Sequence, residues 1–192
     1  MKSASATPLE VADSPCWVLL SSTGLLARTT NVEPLTPVES VHRQAHDVLV
    51  SAVRTSTRGE VAAITSHGRM IRVPVVDMPA LPPTSNAPTL SGGAPATEFV
   101  TLAKGERLLG LTSLSTETAG LALGTARGVV KRVTIDYPAN KDEWEIIGLR
   151  EGDEVVGVVE LPTDEADLVF ISSEAQLLRF SAKLVRPQGR AA

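Results

Sequence analysis

The chain is poor in the residues most often used for chemistry. Its 192 residues include 1 cysteine, 3 histidines and 1 tyrosine, and aromatics make up 3%. A lone Cys16 excludes a disulfide framework or a cysteine-based zinc site within one chain, and it fits a reducing cytoplasm. No apolar run approaches the roughly 20 residues that cross a bilayer as a helix. Met1-Lys2-Ser3-Ala4-Ser5 has no long apolar core behind it, so it does not read as a signal peptide. The G-x-S-x-G, Walker A and G-x-G-x-x-G patterns are absent, which removes sequence support for a hydrolase elbow, a P-loop or a dinucleotide fold.

The few reactive residues have plainer readings. His42 and His46 stand at i, i+4, a spacing that binds metal on a helix, but no third ligand lies near in a convincing pattern. His67 precedes Gly68 and reads as a turn residue. Carboxylates at 151–154 and 164–167 sit at turns between strands and read as a solvated acidic edge rather than an acid/base pair or calcium loop. Tyr137 precedes Pro138 in a connector, a poor place for a nucleophile.

What the chain does have is one sentence written four times. Val18 to Thr23 leads to Gly24, Ala62 to His67 to Gly68, Leu121 to Arg127 to Gly128, and Val169 to Glu174 to Ala175. Each is an apolar strand, a tight turn and a second strand, and each carries an arginine four residues past the turn: Arg28, Arg72, Arg132 and Arg179. The turns are 44, 60 and 47 residues apart, the signature of an array of similar units. A second phrase fixes the register. Gly105-Glu106-Arg107-Leu108-Leu109-Gly110-Leu111 matches Gly152-Asp153-Glu154-Val155-Val156-Gly157-Val158, each 23 residues before its turn. Ala45-His46-Asp47-Val48-Leu49 is a weaker copy, and the first repeat lacks room for one.

The spacing predicts about four repeats of four short strands, an all-β radial array without a helix. Residues 1–15 read as a disordered lead-in, and 16–192 as the folded domain. The repeats fall near 16–37 (partial), 38–78, 96–138 and 145–192, and Val48 to Val53 is a strand by register. Residues 79–95 hold 5 prolines and read as a Pro-rich loop, because proline donates nothing to a sheet ladder.

The net charge of −4 hides an asymmetry. Residues 141–174 carry 11 acids and 2 bases, and the rest of the chain sums to +5. Arranged radially, the four register arginines would form a positive ring, with Arg69, Arg127 and Lys131 in or beside the same turns and Arg186 and Arg190 in the basic C-terminal stretch. Such a ring can hold phosphates of a bent duplex without reading bases. The competing reading is an arginine stem packed at a strand edge with its head in water.

The sequence resembles the C-terminal domain of the A subunit of bacterial type IIA topoisomerases, DNA gyrase and topoisomerase IV. The resemblance rests on Gly128-Val129-Val130-Lys131-Arg132-Val133, Glu151-Gly152-Asp153-Glu154-Val155-Val156-Gly157, Leu177-Leu178-Arg179-Phe180 and Val185-Arg186-Pro187-Gln188-Gly189-Arg190-Ala191. It is specific across about 100–190 and weaker, though in register, across 16–76. It implies a β-pinwheel, here a partial array, whose neighbouring blades exchange a strand. It also implies a non-catalytic domain that binds and bends duplex DNA along a basic rim, with Arg28, Arg69, Arg72, Arg127, Lys131, Arg132, Arg179, Arg186 and Arg190 as the DNA-binding set. The domain itself needs no cofactor or metal. ATP and Mg would belong to a parent enzyme that adds the remaining A-subunit domains and an ATPase B subunit, cytoplasmic and at the nucleoid, without a membrane. Gyrase subunits carry a box of Gln, Arg and Gly that wraps DNA. The connector Pro138-Ala139-Asn140-Lys141-Asp142-Glu143-Trp144 lacks it, and Arg186 to Arg190 echoes it in part, which favours a topoisomerase IV-like subunit, or a divergent gyrase-like one, over a wrapping gyrase. The alternative is a propeller-like protein-interaction module without DNA binding, although the WD40 signatures are absent in phase.

Overall fold

A computed structural model describes residues 11–35, 43–83 and 88–190. Most of the lead-in, His42 and the middle of the Pro-rich loop lie outside these. The described residues contain no α-helix. In chain order the strands are β1 (Pro15–Ser21), β2 (Leu25–Arg28), β3 (Leu49–Ser56), β4 (Glu60–Thr65), β5 (Arg69–Pro74), β6 (Ala94–Pro95) and β7 (Leu108–Thr112). They continue with β8 (Leu121–Thr125), β9 (Val130–Val133), β10 (Glu143–Glu145), β11 (Val155–Glu160), β12 (Asp167–Ile171), β13 (Leu177–Ser181) and β14 (Pro187–Gln188). The expected hairpins are β1–β2, β4–β5, β8–β9 and β12–β13. Gly24, Gly68 and Gly128 turn them at φ of +80°, +76° and +79°, where a Cβ is costly. Ala175 makes the same turn at φ +59° without that freedom.

The sheets do not coincide with the sequence repeats. They run β3-β1-β2-β6, β10-β5-β4-β7, β11-β8-β9-β14 and β12-β13. The opening strand of each repeat therefore pairs with the hairpin of the repeat before it: β3 with β1, β7 with β4 and β11 with β8. The fourth position is filled from further along the chain, by β6, β10 and β14 in turn. Hence the first hairpin, which reads as lacking its opening strand, has a full four-stranded sheet. The fourth hairpin has neither extra strand among the described residues.

Successive blades pack face to face. Val18, Leu20 and Leu26 of the first blade meet Val61, Ala63, Ile71 and Val73 of the second. Ala62, Ile64 and Met70 on the second blade's other face meet Leu121, Leu123 and Val133. Ala122 of the third meets Leu168 of the fourth, with Phe170 and Phe180 against them. Alternation along each strand gives every blade two apolar faces, so a stack buries both. The first blade's free face is covered by the Pro-rich segment, where Leu81 and Leu90 bury against Leu19 and Ala27. Residues 79–83 and 88–95 are thus anchored by one buried leucine each, and Pro95 takes an edge position, where a missing N–H costs nothing. Ahead of β1, Ser14 accepts a hydrogen bond from the Thr57 backbone N–H at 2.9 Å, and Asp13 accepts one from that of Arg58 at 3.0 Å.

Candidate nucleic-acid interface

The register arginines start from one backbone place, the fourth residue past the turn, but reach different surroundings. In the first three blades that place lies against a chain segment on the same edge that takes the fourth strand. The Arg28 backbone pairs with Pro79 and Leu81 there, and its half-buried side chain leaves Nε enclosed without a partner. Arg72 donates from Nε to the Lys141 carbonyl at 3.1 Å and from Nη2 to the Pro138 carbonyl at 2.9 Å. Its Nη1 reaches Glu60 at 2.8 Å, and its guanidinium lies 5.3 Å over the Trp144 ring. Arg132 donates to the carbonyls of Ala182 at 3.2 Å and Ala119 at 3.4 Å and pairs with Asp164. Only 3% of Arg132 is exposed.

Arg72 and Arg132 are therefore clamps on the incoming strand, not solvent-facing charges. The alternation that puts Arg132 on the face of Val130 does not drive it to an edge in water. Carbonyls and a carboxylate meet its two Nη groups, which makes the burial tolerable, while its Nε is enclosed without a partner. Among the described residues no incoming strand lies against Arg179. It lies exposed and pairs with Asp167 at 2.5 Å, the cross-strand relation of Arg72 to Glu60.

The remaining basic residues divide in the same way. Arg69 donates to both oxygens of Glu106, at 2.9 and 2.6 Å, to Glu143 at 2.8 Å and to the Thr101 carbonyl at 2.9 Å. The Arg69 guanidinium holds the Glu106 carboxyl at a pKa of about 2, and Glu106 in turn raises that of Arg69. Lys131 is buried and donates from Nζ to the Arg190 carbonyl at 2.9 Å, and burial lowers its pKa. Arg190 reaches Asp136 at 3.5 Å. Arg127 and Arg186 are exposed. The backbone N–H of Arg127 donates to Asp153 at 3.1 Å, which ties the turn tip to the opening turn of the next repeat.

Of the nine sequence candidates, Arg127, Arg179 and Arg186 present their charge to solvent, and the other six are half-buried or buried. Glu106 was not among the candidates. Its signal was positional: it and Asp153 both follow the glycine of the opening phrase, and both bind the neighbouring hairpin. The acidic stretch also has partners. Glu143, Glu154, Asp164, Glu165 and Asp167 pair with Arg69, Arg107, Arg132, Lys183 and Arg179. His46 lies 3.5 Å from Asp47, and no group of three or more His, Cys, Asp or Glu is placed to hold a metal among the described residues. Burial pushes the Tyr137 hydroxyl up to about 12, which disfavours the phenolate a nucleophile needs.

The family described as the DNA gyrase C-terminal domain, β-propeller, matches residues 59–81, 145–161 and 166–192. The DNA gyrase A subunit of Treponema pallidum (strain Nichols) is 30% identical over 155 residues, which is 79% of this chain and 18% of that protein. Its counterpart from Staphylococcus aureus (strain MRSA252) is 28% identical over 160 residues, 81% of this chain and 17% of that protein. The solved C-terminal domain of DNA topoisomerase IV superposes with a TM-score of 0.71 at 18% identity, covering 95% of this chain and 56% of that one. By sequence and by fold, this chain is a relative of the C-terminal domain of type IIA topoisomerase A subunits. The E. coli ParC C-terminal domain shares the fold as well, with a TM-score of 0.63 at 17% identity over 93% of this chain and 69% of that one. The chain spans less than a fifth of the gyrase proteins it matches, so the comparison concerns this domain and not the whole of those proteins. Among the described residues, no helix is long and apolar enough to cross a membrane.

Proposed function

We propose that this is the non-catalytic duplex-DNA binding and bending domain of a type IIA topoisomerase A subunit. It would guide the DNA segment used in ATP-dependent strand passage. The relationship to the gyrase proteins carries this reading, and exposed arginines on the blades give it a physical means. Arg127, Arg179 and Arg186 contact phosphates, while Arg28, Arg69, Arg72, Lys131, Arg132 and Arg190 shape the scaffold. Arginines that touch only the backbone of DNA bind without reading its sequence. Asp167 is an internal counter-ion that a phosphate displaces from Arg179, and exposed pairs of that kind exchange at small cost.

The domain is more topoisomerase IV-like than gyrase-like in this reading. The connector 138–144, which lacks the gyrase box, is occupied in holding the second blade through the Pro138 and Lys141 carbonyls. Cleavage, ATP and Mg belong to the parent assembly, supplied by the remaining A-subunit domains and an ATPase B subunit in the bacterial cytoplasm at the nucleoid.

Fluorescence anisotropy with a labelled duplex across a salt series tests this. Three phosphate contacts give a log-log slope of about −3, the same for unrelated sequences. A flat slope, or no binding at low salt, refutes the reading and leaves the protein-interaction module.

A further inference from the structure

The junction between the first and second blades and that between the second and third share one register but are filled differently. Between the second and third, Trp144 of β10 lies opposite Met70, two residues past the turn at Gly68. Its ring stands 6.1 Å from that of Tyr137, nine residues past the turn at Gly128, and both pack with Val133. The Arg72 guanidinium covers the Trp144 ring at 5.3 Å. This junction is closed, and only 6% of Trp144 is exposed.

Between the first and second blades the same places hold other residues. Ala94 of β6 lies opposite Leu26, two residues past Gly24, where the next junction has Trp144. Asp77, nine residues past Gly68, stands where the next junction has Tyr137. The space that two rings occupy in one junction is here a groove of about 310 Å³, lined by Val73, Pro74, Pro79, Ala94 and Phe99. Asp77 lines it from the turn after β5, and Glu98 from the single helical turn Ala96–Glu98 after β6. Both carboxylates are exposed, and neither has an ion-pair or side-chain hydrogen-bond partner among the described residues. Each flanking blade has its four strands, so the groove is a property of this junction.

The geometry points to a docking groove for a basic segment of a partner protein, anchored by an arginine side chain. A guanidinium is planar, so it stacks on Phe99 as Arg72 does on Trp144, and its fork donates to Asp77 and Glu98. Pro74 and Pro79 offer an apolar wall with no N–H, so side chains rather than strand pairing hold the segment. Two carboxylates repel a phosphate backbone, which makes the ligand a polypeptide and not a nucleic acid. This inference is independent of the DNA reading.

The probe is a labelled, end-capped peptide Gly-Arg-Leu-Arg-Gly, added to the full chain and followed by fluorescence anisotropy. The expected result is saturable binding that Asp77→Asn/Glu98→Gln weakens by about tenfold or more, the loss of two charge-assisted hydrogen-bond acceptors. Ala94→Trp, which supplies the residue of the next junction, abolishes it in a chain whose thermal melt shows it folded. Glu117→Gln, at an exposed carboxylate outside the groove, leaves it unchanged. The same peptide with lysine for arginine binds more weakly, because an ammonium neither forks nor stacks. No binding, or binding indifferent to Asp77→Asn/Glu98→Gln, overturns the proposal. An equal loss on Glu117→Gln, which reads net charge alone, or equal binding of the lysine peptide does the same. So does a chain that ignores the peptide and whose duplex affinity rises in Asp77→Asn/Glu98→Gln, since the carboxylates would then fend off DNA rather than hold a partner.

Discussion

Replacing Glu106 with Gln tests how the second blade is held. The Glu106 side chain is fully buried, and its oxygens accept from Arg69 twice and from the Ala103 backbone N–H at 2.7 Å. Its carboxyl falls from an ordinary 4.5 to about 2, chiefly through the Arg69 hydrogen bonds. A depressed carboxyl contributes stability that is complete above its unfolded pKa and is lost as pH falls through its folded one. The shift corresponds to about 3 kcal/mol at neutral pH. It shrinks to roughly 1.5 kcal/mol at pH 3, between the two pKa values. Breaking a buried pair by neutralising one partner costs a similar amount. Urea unfolding of the native chain and Glu106→Gln at pH 7 and pH 3 reads both figures. The variant should be less stable by about 2–4 kcal/mol at pH 7, and the gap should narrow by about half at pH 3. An equal gap at the two pH values, or none, refutes the argument that the ionised pair holds the opening turn to the second hairpin.

Other substitutions separate strain, clamping and binding. Ala175→Gly relieves a left-handed turn at φ +59° and should raise the unfolding free energy by about 0.5–1 kcal/mol, read by thermal or urea melts. Arg132→Met leaves the Ala119 carbonyl without its donor, leaves the Ala182 carbonyl with the Val185 N–H alone, and should cost about 2–4 kcal/mol by the same assay. Arg186→Glu, at an exposed site, should leave the melt within about 0.5 kcal/mol of native and yet weaken duplex binding in anisotropy.

The hairpins were legible in the sequence because each is local. Gly24, Gly68 and Gly128 mark turns whose flanking strands alternate or run apolar, and both signals lie within a dozen residues. The opening phrases around Gly105 and Gly152 were legible too, but not their pairing. A repeat seen in sequence carries no statement of which neighbour its strand joins, and here β7 and β11 each pair one hairpin back. The same gap explains the arginines. Regular spacing at 28, 72, 132 and 179 showed equivalent backbone positions, and three of these meet the strand arriving at the sheet's edge. That strand comes from far along the chain: Lys141 lies 69 residues beyond Arg72, and Ala182 lies 50 beyond Arg132. Whether a guanidinium faces water or a ring of carbonyls depends on contacts that long, which local pattern does not encode. Arg179 stays exposed because its blade has no such strand among the described residues.

The central claim is a division of labour between exposed arginines that bind DNA and buried ones that hold blades together. The most direct measurement compares Arg127→Glu/Arg179→Glu/Arg186→Glu with Arg72→Met, by duplex anisotropy and thermal melting on the same preparations. The triple variant should melt near native but lose most of its affinity and its salt slope. Arg72→Met should melt lower and bind with near-native affinity at temperatures where it is folded. A folded triple variant that binds as tightly as native, or a folded Arg72→Met that has lost DNA, would contradict it.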